Sequence, residues 1–170
     1  MERTPTVEVR MARPADSAGM ARVHVASWQE TYRGMMSDEI LDDPDFLNRR
    51  ERFWSAALND PRYARNRAAV AESNGEVIGI AMSGPSEVED ETVDSQLYLI
   101  YLMKSAHGSG AGQKLLDAVI GPQEAVGLWV AAHNPRAQAF HRRNGFIPNG
   151  LEKEGDGVRE IRMIRPVRSK

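Results

Sequence analysis

The most constraining feature of this chain is the stretch Leu97–Ile120, in which an apolar run leads directly into a glycine-rich turn. The run Leu97–Met103 is too short to cross a bilayer and is continuously apolar, which predicts a strand buried on both faces. Gly108, Gly110 and Gly112 follow, and an amphipathic helix begins behind them. Alternating glycines let backbone N–H groups converge, and a helix N-terminus adds partial positive charge. The stretch therefore predicts a strand–turn–helix unit suited to a phosphate group.

Three kinds of phosphate loop are candidates. A P-loop needs Gly-Lys-Ser/Thr, but Gly112 is followed by Gln113. A dinucleotide loop needs a third glycine where this chain has Gln113 or Leu115. The pyrophosphate loop of acyl-CoA-dependent transferases, Gln/Arg-x-x-Gly-x-Gly/Ala, fits, with His107 in the place of Gln or Arg. A tight turn that binds no ligand remains the alternative.

A second motif follows about twenty residues later. Asn134 is a good N-cap, Pro135 suits the first helical position, and Gly145 suits the left-handed position after the helix. Phe146 starts another strand, and Val126–Ala132 predicts a buried strand before the helix. The order strand, turn, helix, strand, helix predicts a parallel crossover.

Together these segments resemble the GNAT-type N-acetyltransferases, whose second motif is Asn-x-x-Ala-x-x-Phe-Tyr-x-x-x-Gly-Phe. The residues that match it are Asn134, Ala137, Phe140, Gly145 and Phe146. His141 occupies the Tyr position. Val9–Asp16 and Trp28–Gly34 are also similar to segments of the family, so the resemblance spans nearly all 170 residues.

The resemblance implies an α/β class, more closely an α+β mixed sheet with flanking helices. Its N-terminal half is antiparallel, and its parallel fourth and fifth strands are splayed so that pantetheine lies in the gap. We expect one domain over residues 1–170. The predicted strands are Val7–Ala12, Ala68–Ser73, Glu76–Ser83, Leu97–Met103, Val126–Ala132, Ile147–Lys153 and Val158–Ile164. Helices are predicted from Asp16 to about Tyr32, from Ser37 to Leu41, from Pro44, over Gly112–Ile120 and after Asn134. Asn74-Gly75 predicts a type I′ hairpin turn.

The resemblance also implies acetyl-CoA as cosubstrate and no metal. The pyrophosphate would meet the N–H groups of residues 108–112, and pantetheine would meet the backbone of the fourth strand. The implied cofactor-binding residues are Leu102, Met103, His107, Gly108, Ser109, Gly110, Ala111, Gly112, Asn134 and Phe140. For Asn134 a helix cap, and for Phe140 a core position, is the alternative role.

For catalysis, the family pattern implies that a backbone N–H near Leu102 polarises the thioester. His141 would protonate the leaving thiolate as imidazolium, with Tyr98, Tyr101 or a water as alternatives. Ser109 lacks a nucleophile elbow, so direct transfer in a ternary complex is favoured over a covalent acyl-enzyme. His24 lies on the apolar stripe of the first helix, which favours a structural role.

The general base is less well defined. Many relatives carry Glu where this chain has Gln96, and an amide cannot accept the proton. Glu91, Asp94 and Glu30 are alternatives, and an acceptor amine of low pKa would need no strong base.

Composition excludes several classes of protein. A net charge of −2 and a pI near 6.1 argue against nucleic-acid binding through bulk charge. The absence of Cys excludes disulfides, thiolate metal sites and cysteine nucleophiles. No apolar leader or membrane-length run is present, so we expect a cytoplasmic protein without a membrane partner. Trp28 and Trp54 suit either core or interface, which leaves monomer and homodimer open.

The leading hypothesis is thus an N-acetyltransferase that transfers acetyl from acetyl-CoA to a primary amine of a small molecule or peptide. One alternative is a non-catalytic acyl-CoA-binding or regulatory module on the same fold. Another is a nucleotide-binding α/β protein.

An acidic connection precedes the fourth strand and suggests that the acceptor is cationic. It carries Glu87, Glu89, Asp90, Glu91 and Asp94. We expect that neutralising these residues raises the acceptor KM and weakens its dependence on salt, because attraction between exposed charges is screened by ions. Steady-state kinetics at two salt concentrations test this. An unchanged KM with unchanged salt dependence would show that the loop is only a solvated surface.

Overall fold

The computed structural model describes residues 6–88, 92–155 and 157–167. In this part of the chain the strands are β1 (Glu8–Met11), β2 (Arg67–Ser73), β3 (Glu76–Gly84), β4 (Ser95–Leu102), β5 (Val126–Ala131), β6 (Ile147–Gly155) and β7 (Val158–Arg165). The helices are α1 (Ser17–Tyr32), α2 (Asp38–Leu41), α3 (Phe46–Asn59), α4 (Ala111–Val119) and α5 (Pro135–Arg143).

The described strands form one mixed sheet in the order β1-β2-β3-β4-β5-β7-β6. β4 and β5 are parallel, and the other neighbouring pairs are antiparallel. The expected mixed sheet is confirmed. The β2–β3 turn also has the predicted form, with positive φ at Asn74 (53°) and Gly75 (76°).

Two hydrophobic layers enclose the sheet. On one face α4 packs Leu115, Leu116 and Val119 against β2, β3 and β5. On the other face α1 and α3 pack Met20 and Trp54 against β2 and β3. The period of each element explains which side chains point into these layers. Helix residues three and four apart share a face, and strand residues alternate between the two faces of the sheet.

The parallel pairing of β4 and β5 covers only their first residues. Ser95 lies opposite Val126, Gln96 opposite Gly127 and Leu97 opposite Leu128. Beyond this point the two strands separate. The separation starts at Tyr98, which has no partner on β3 because Leu97 and Leu99 face consecutive residues there. This is a β-bulge, which bends the strand that carries it.

The gap changes the burial of β4. Only Ser95, Gln96 and Leu97 are buried, whereas the residues from Tyr98 to Leu102 are partly exposed. The prediction of a strand buried on both faces is therefore wrong from Tyr98 onward, because one edge of the strand borders an open gap.

A network of polar contacts holds the closed end of the gap. The Glu124 carboxylate accepts bonds from Arg67 (2.8 and 3.0 Å), the Ser95 hydroxyl (2.7 Å) and the Gly121 N–H (2.8 Å). Asp94 accepts the Ala125 N–H at 2.9 Å. These contacts connect β2, the start of β4 and the segment before β5.

Two helix starts and one helix cap differ from the predictions. The third helix begins at Phe46 rather than Pro44, and α4 begins at Ala111 rather than Gly112. Asp16 stands at the N-cap of α1 without a side-chain cap bond. Its carboxylate instead binds Arg10 and the Arg13 N–H.

Glu124 gives a testable prediction about stability. Burial opposes its ionisation, but bonds from Arg67, Gly121 and Ser95 outweigh burial and lower its pKa from 4.5 to about 2. Glu124→Gln should lower the free energy of unfolding near pH 7 by about 1–3 kcal/mol, because charge-assisted bonds are lost. Since the folded pKa is depressed, the deficit is full above pH 4.5 and shrinks toward about pH 2.

Urea unfolding across this pH range measures the effect. Glu152→Gln is the matched control, because Glu152 forms an ion pair with Arg159 at the surface. The side chains of Glu152 and Arg159 are 51% and 48% exposed. An exposed ion pair contributes about 0–1 kcal/mol. Equal losses in the two variants would contradict a special role for Glu124.

Candidate active site

The gap between β4 and β5 opens into a cavity of about 1330 Å³. Its walls come from the glycine loop and α5 on one face of the sheet, and from α1, α3 and β7 on the other. The cavity therefore passes from one side of the sheet to the other, where one substrate can approach from each side.

The glycine loop has the backbone geometry of an anion cradle. Gly108 and Gly110 have φ of 81° and 84°, and Gly110 is the N-cap of the nine-residue helix α4. Both glycines line the cavity together with Gly112 and His107. The positive φ values explain why glycine is required at the first two positions.

Ser109 and Ala111, two residues of the predicted cofactor loop, make contacts within the protein. The Ser109 hydroxyl accepts the Ala111 N–H at 3.3 Å, and the Ala111 side chain is buried in the core. Neither is among the cavity-lining residues. The glycines, rather than Ser109 or Ala111, present the loop to the cavity.

Beyond Leu97 the edge of β4 directs backbone groups toward the gap rather than toward β5. The Met103 N–H donates to Ile78 at 3.0 Å, so it belongs to the β3 side and is unavailable for pantetheine. Since strand residues alternate in direction, the N–H groups of Leu102 and Ile100 point toward the gap. The Leu102 carbonyl confirms this direction, because it accepts His107 Nε2 at 3.1 Å.

The start of α5 borders the same cavity. Asn134 Oδ1 accepts the Ala137 N–H at 3.1 Å, so the predicted helix cap is confirmed. Asn134 and Phe140 both line the cavity. Phe140 also contacts the core, and a Cβ added to Gly112 would lie 3.6 Å from its ring.

His141 lies in a buried aromatic environment, which does not suit a charged acid. It is only 4% exposed and lies edge-on to Phe140 and Phe146, with ring centroids 5.4 and 5.7 Å away. Burial lowers its pKa from 6.5 to about 4. Its Nδ1 has no hydrogen-bond partner among the residues that the structure describes. The ring is therefore neutral at pH 7, which corrects the expectation of an imidazolium.

Tyr98 lines the cavity, and its hydroxyl donates to the Pro85 carbonyl. Burial raises its pKa, and the nearby charge of Glu87 adds to the effect. Tyr98 is thus protonated at neutral pH, with its proton directed at Pro85.

The candidates for the general base differ in whether they line the cavity. Gln96 is buried and accepts the Glu87 N–H at 3.3 Å, whereas Asp94 is held by Ala125 outside the cavity lining. Glu30 lines the cavity and accepts the Lys104 N–H at 3.2 Å. Glu91 lies outside the described residues, as do Glu89 and Asp90 of the acidic connection.

Sequence reasoning missed one carboxylate that lines the cavity, Glu160 on β7. Burial raises the pKa of the Tyr32 and Tyr101 phenols, and the charge of Glu160 adds to the effect. Its strand was predicted. The alternation with Ile161 was the available signal that Glu160 faces away from the main core.

His24 has a structural role, as expected. It is 2% exposed, and its Nδ1 accepts the indole N–H of Trp54 at 3.2 Å. Burial, followed by the charge of Arg50, lowers its pKa to about 3.

A model of the Acetyltransferase (GNAT) family matches residues 24–146. The chain belongs to this family. The uncharacterized N-acetyltransferase YuaI of Bacillus subtilis (strain 168) is 33% identical over 164 residues, which cover 92% of this chain and 88% of YuaI. The probable N-acetyltransferase Rv2775 of Mycobacterium tuberculosis is 24% identical over 148 residues, with coverage of 85% and 82%.

Solved structures show the same fold. The PaiA N-acetyltransferase of Thermoplasma acidophilum in complex with coenzyme A has a TM-score of 0.71 at 17% identity, covering 95% of this chain and 99% of that one. A histone acetyltransferase HPA2-related protein of Corynebacterium glutamicum also has a TM-score of 0.71, at 23% identity and 99% coverage of both chains. Membership in the GNAT family makes the chain an acetyltransferase.

Two further findings concern the described residues alone. They contain no group of three or more His, Cys, Asp or Glu arranged to hold a metal ion. Their helices include none with the length and apolarity needed to span a membrane.

The buried imidazole of His141 predicts a pH effect on stability. The folded pKa of about 4 lies below the ordinary 6.5, so the unfolded chain binds a proton first as pH falls. His141 should therefore reduce the free energy of unfolding by up to about 1.4 kcal/mol per pH unit between these values. His141→Phe should make the slope shallower by that amount. Urea unfolding from pH 5 to 7.5 measures it.

His133→Gln is the control for this experiment, because His133 is exposed to solvent. It should keep the wild-type slope. If His141→Phe also kept the wild-type dependence of unfolding free energy on pH, His141 would bind a proton equally well in the folded and unfolded protein. That result would contradict the prediction.

Proposed function

We propose that this GNAT enzyme transfers the acetyl group of acetyl-CoA to a primary amine of a small molecule or peptide by direct attack in a ternary complex. The observation that carries the proposal is the splayed β4 edge, where Leu102 and Ile100 direct N–H groups into a cavity that begins at the glycine loop. A long, bent acyl donor with a diphosphate at one end fits this arrangement.

The cofactor side has three parts. The N–H groups at Gly108, Gly110 and Gly112 and the N-terminus of α4 would receive the pyrophosphate. The β4 backbone near Leu102 would receive the pantetheine arm. Asn134 and Phe140 would border that arm from α5. His107 holds the Leu102 carbonyl at 3.1 Å, so it would have to release this group if pantetheine binds it.

The reaction then needs three events. A neutral amine attacks the thioester carbon, and a backbone N–H of β4 stabilises the charge that develops on the carbonyl oxygen. The C–S bond breaks. The acylated nitrogen gives one proton to water or a base, and the thiolate takes up a proton. Tyr98 or a water can supply that proton, and Tyr98 would first have to leave Pro85. The neutral imidazole of His141 is too weak an acid to protonate a thiolate.

The glycine loop provides a direct test of cofactor binding. Gly110→Ala forces a Cβ into a backbone with φ of 84°, which costs about 1–2 kcal/mol unless the loop shifts. We expect calorimetry to show that coenzyme A binds this variant at least about tenfold more weakly than it binds the wild type. Gly75→Ala is the control, because Gly75 has φ of 76° in an exposed hairpin turn.

Equal coenzyme A affinity in both variants and the wild type would contradict the assignment of the loop. A thiol-release assay with acetyl-CoA and a panel of primary amines tests the transfer itself. Binding without thiol release would support the non-catalytic module instead.

A further inference from the structure

Helix α5 presents a basic and aromatic stripe to the cavity. The residues of this helix that line the cavity include Arg136, Ala139, Phe140 and Arg143. Their spacing of three, four and seven residues places them on one face of the helix. The neighbouring Arg142 is exposed and does not line the cavity. The helix therefore directs two of its three arginines toward the cavity.

Arg143 lies beside the glycine loop. Its guanidinium is 6.0 Å from the centroid of the Phe140 ring. The same ring lies next to the loop, since a Cβ added to Gly112 would be 3.6 Å from it. The first turn of α4 is also joined to the end of α5, because Gln113 Nε2 donates to Asn144 Oδ1 at 2.8 Å. The ring and this bond together place Arg143 at the edge of the loop.

No carboxylate neutralises Arg143 in the part of the chain that the structure describes. Its guanidinium takes part in none of the ion pairs there. Helix α5 contains no Asp or Glu. Asp117, the one carboxylate of α4, accepts a bond from Gln113 at 3.0 Å. A cation without a counter-charge therefore borders the loop.

The two ends of α5 lie on different sides of the diphosphate position. Asn134 donates its N–H to the Ala131 carbonyl at 3.1 Å, so the helix begins at the end of β5, beside the gap. Arg143 is nine residues further on, about 13 Å along the helix axis. Lys104 and His107 also line the cavity, but they precede the loop at the end of β4.

The direction of the pantetheine arm determines where the rest of coenzyme A lies. Pantetheine would run from the loop to the gap, at the Asn134 end of α5. Adenosine is attached to the other end of the diphosphate, so it would leave the loop toward Arg143. Its ribose bears a 3′-phosphate, and a phosphate monoester carries about −1.5 to −2 charge at pH 7. Arg143 is the cation that this phosphate would meet.

We propose that Arg143 binds the 3′-phosphate of coenzyme A and makes the enzyme select free coenzyme A thioesters over donors that lack this phosphate. The inference rests on the proposed function, because it assigns a further part of the same donor. A guanidinium can donate two parallel N–H bonds to one phosphate, which gives both affinity and orientation. Donors without the 3′-phosphate include 3′-dephospho-coenzyme A and the phosphopantetheine arm of carrier proteins.

Calorimetry with coenzyme A and 3′-dephospho-coenzyme A tests the assignment, and it requires no acceptor amine. We expect the wild type to bind coenzyme A about five- to tenfold more tightly at low ionic strength, since a charge-assisted contact at the surface is partly screened. Arg143→Gln should lose this preference. It should bind 3′-dephospho-coenzyme A as tightly as the wild type does, which also shows that the variant is folded.

Arg142→Gln is the matched control. It removes the same charge from the next residue, whose side chain is exposed and lies outside the cavity lining. This variant should keep the wild-type preference for coenzyme A. The pair of variants therefore separates a direct contact from the general positive charge of α5.

Equal affinity of the wild type for the two probes would overturn the inference and leave the proposed function standing. An equal loss of affinity for both probes in Arg143→Gln would also overturn it, because the contact would then be with the diphosphate or with the fold. Loss of the preference in Arg142→Gln as well would assign the effect to bulk charge and overturn it too. Absence of binding of either probe to the wild type would overturn both proposals.

Discussion

The parallel pairing of β4 and β5 stops after three residue pairs, and the rest of the structure depends on this interruption. At the closed end, Glu124 binds Arg67, Ser95 and the Gly121 N–H, so the two strands cannot separate there. At Tyr98 the bulge turns β4 away from β5. A continuous ladder would have used every backbone N–H of β4 and closed the cavity. The interrupted ladder leaves polar groups that a bound acyl arm can satisfy.

The gap also separates the two halves of the chemistry. One face of the sheet carries the glycine loop, α4 and α5, and the other carries α1, α3 and the β7 residue Glu160. The donor can bind on the first side while the amine enters from the second, and the two meet at the β4 edge. Direct transfer suits this geometry, because the chain has no Cys and the Ser109 hydroxyl is bonded within its own loop.

The turns and helix caps could be predicted from the sequence, whereas the burial and position of residues that depend on distant strands could not. Asn74-Gly75 and the Asn134 cap follow from the conformations those residues favour, so the hairpin and α5 lie where the sequence placed them. The partial exposure of Tyr98 to Leu102 could not be read locally, since it arises from a strand about thirty residues away. The same applies to His141, whose burial depends on how α5 packs on Phe146. Glu160 was missed because only the pairing of β7 with β5 brings it to the gap.

A crystal structure with bound coenzyme A tests the central claim most directly. The account predicts a diphosphate at the amides of Gly108, Gly110 and Gly112 and a pantetheine arm along β4, within hydrogen-bond distance of the Leu102 backbone. The sulfur should lie between β4 and β5. Coenzyme A bound elsewhere, with β4 and β5 still separated and nothing between them, would contradict the account.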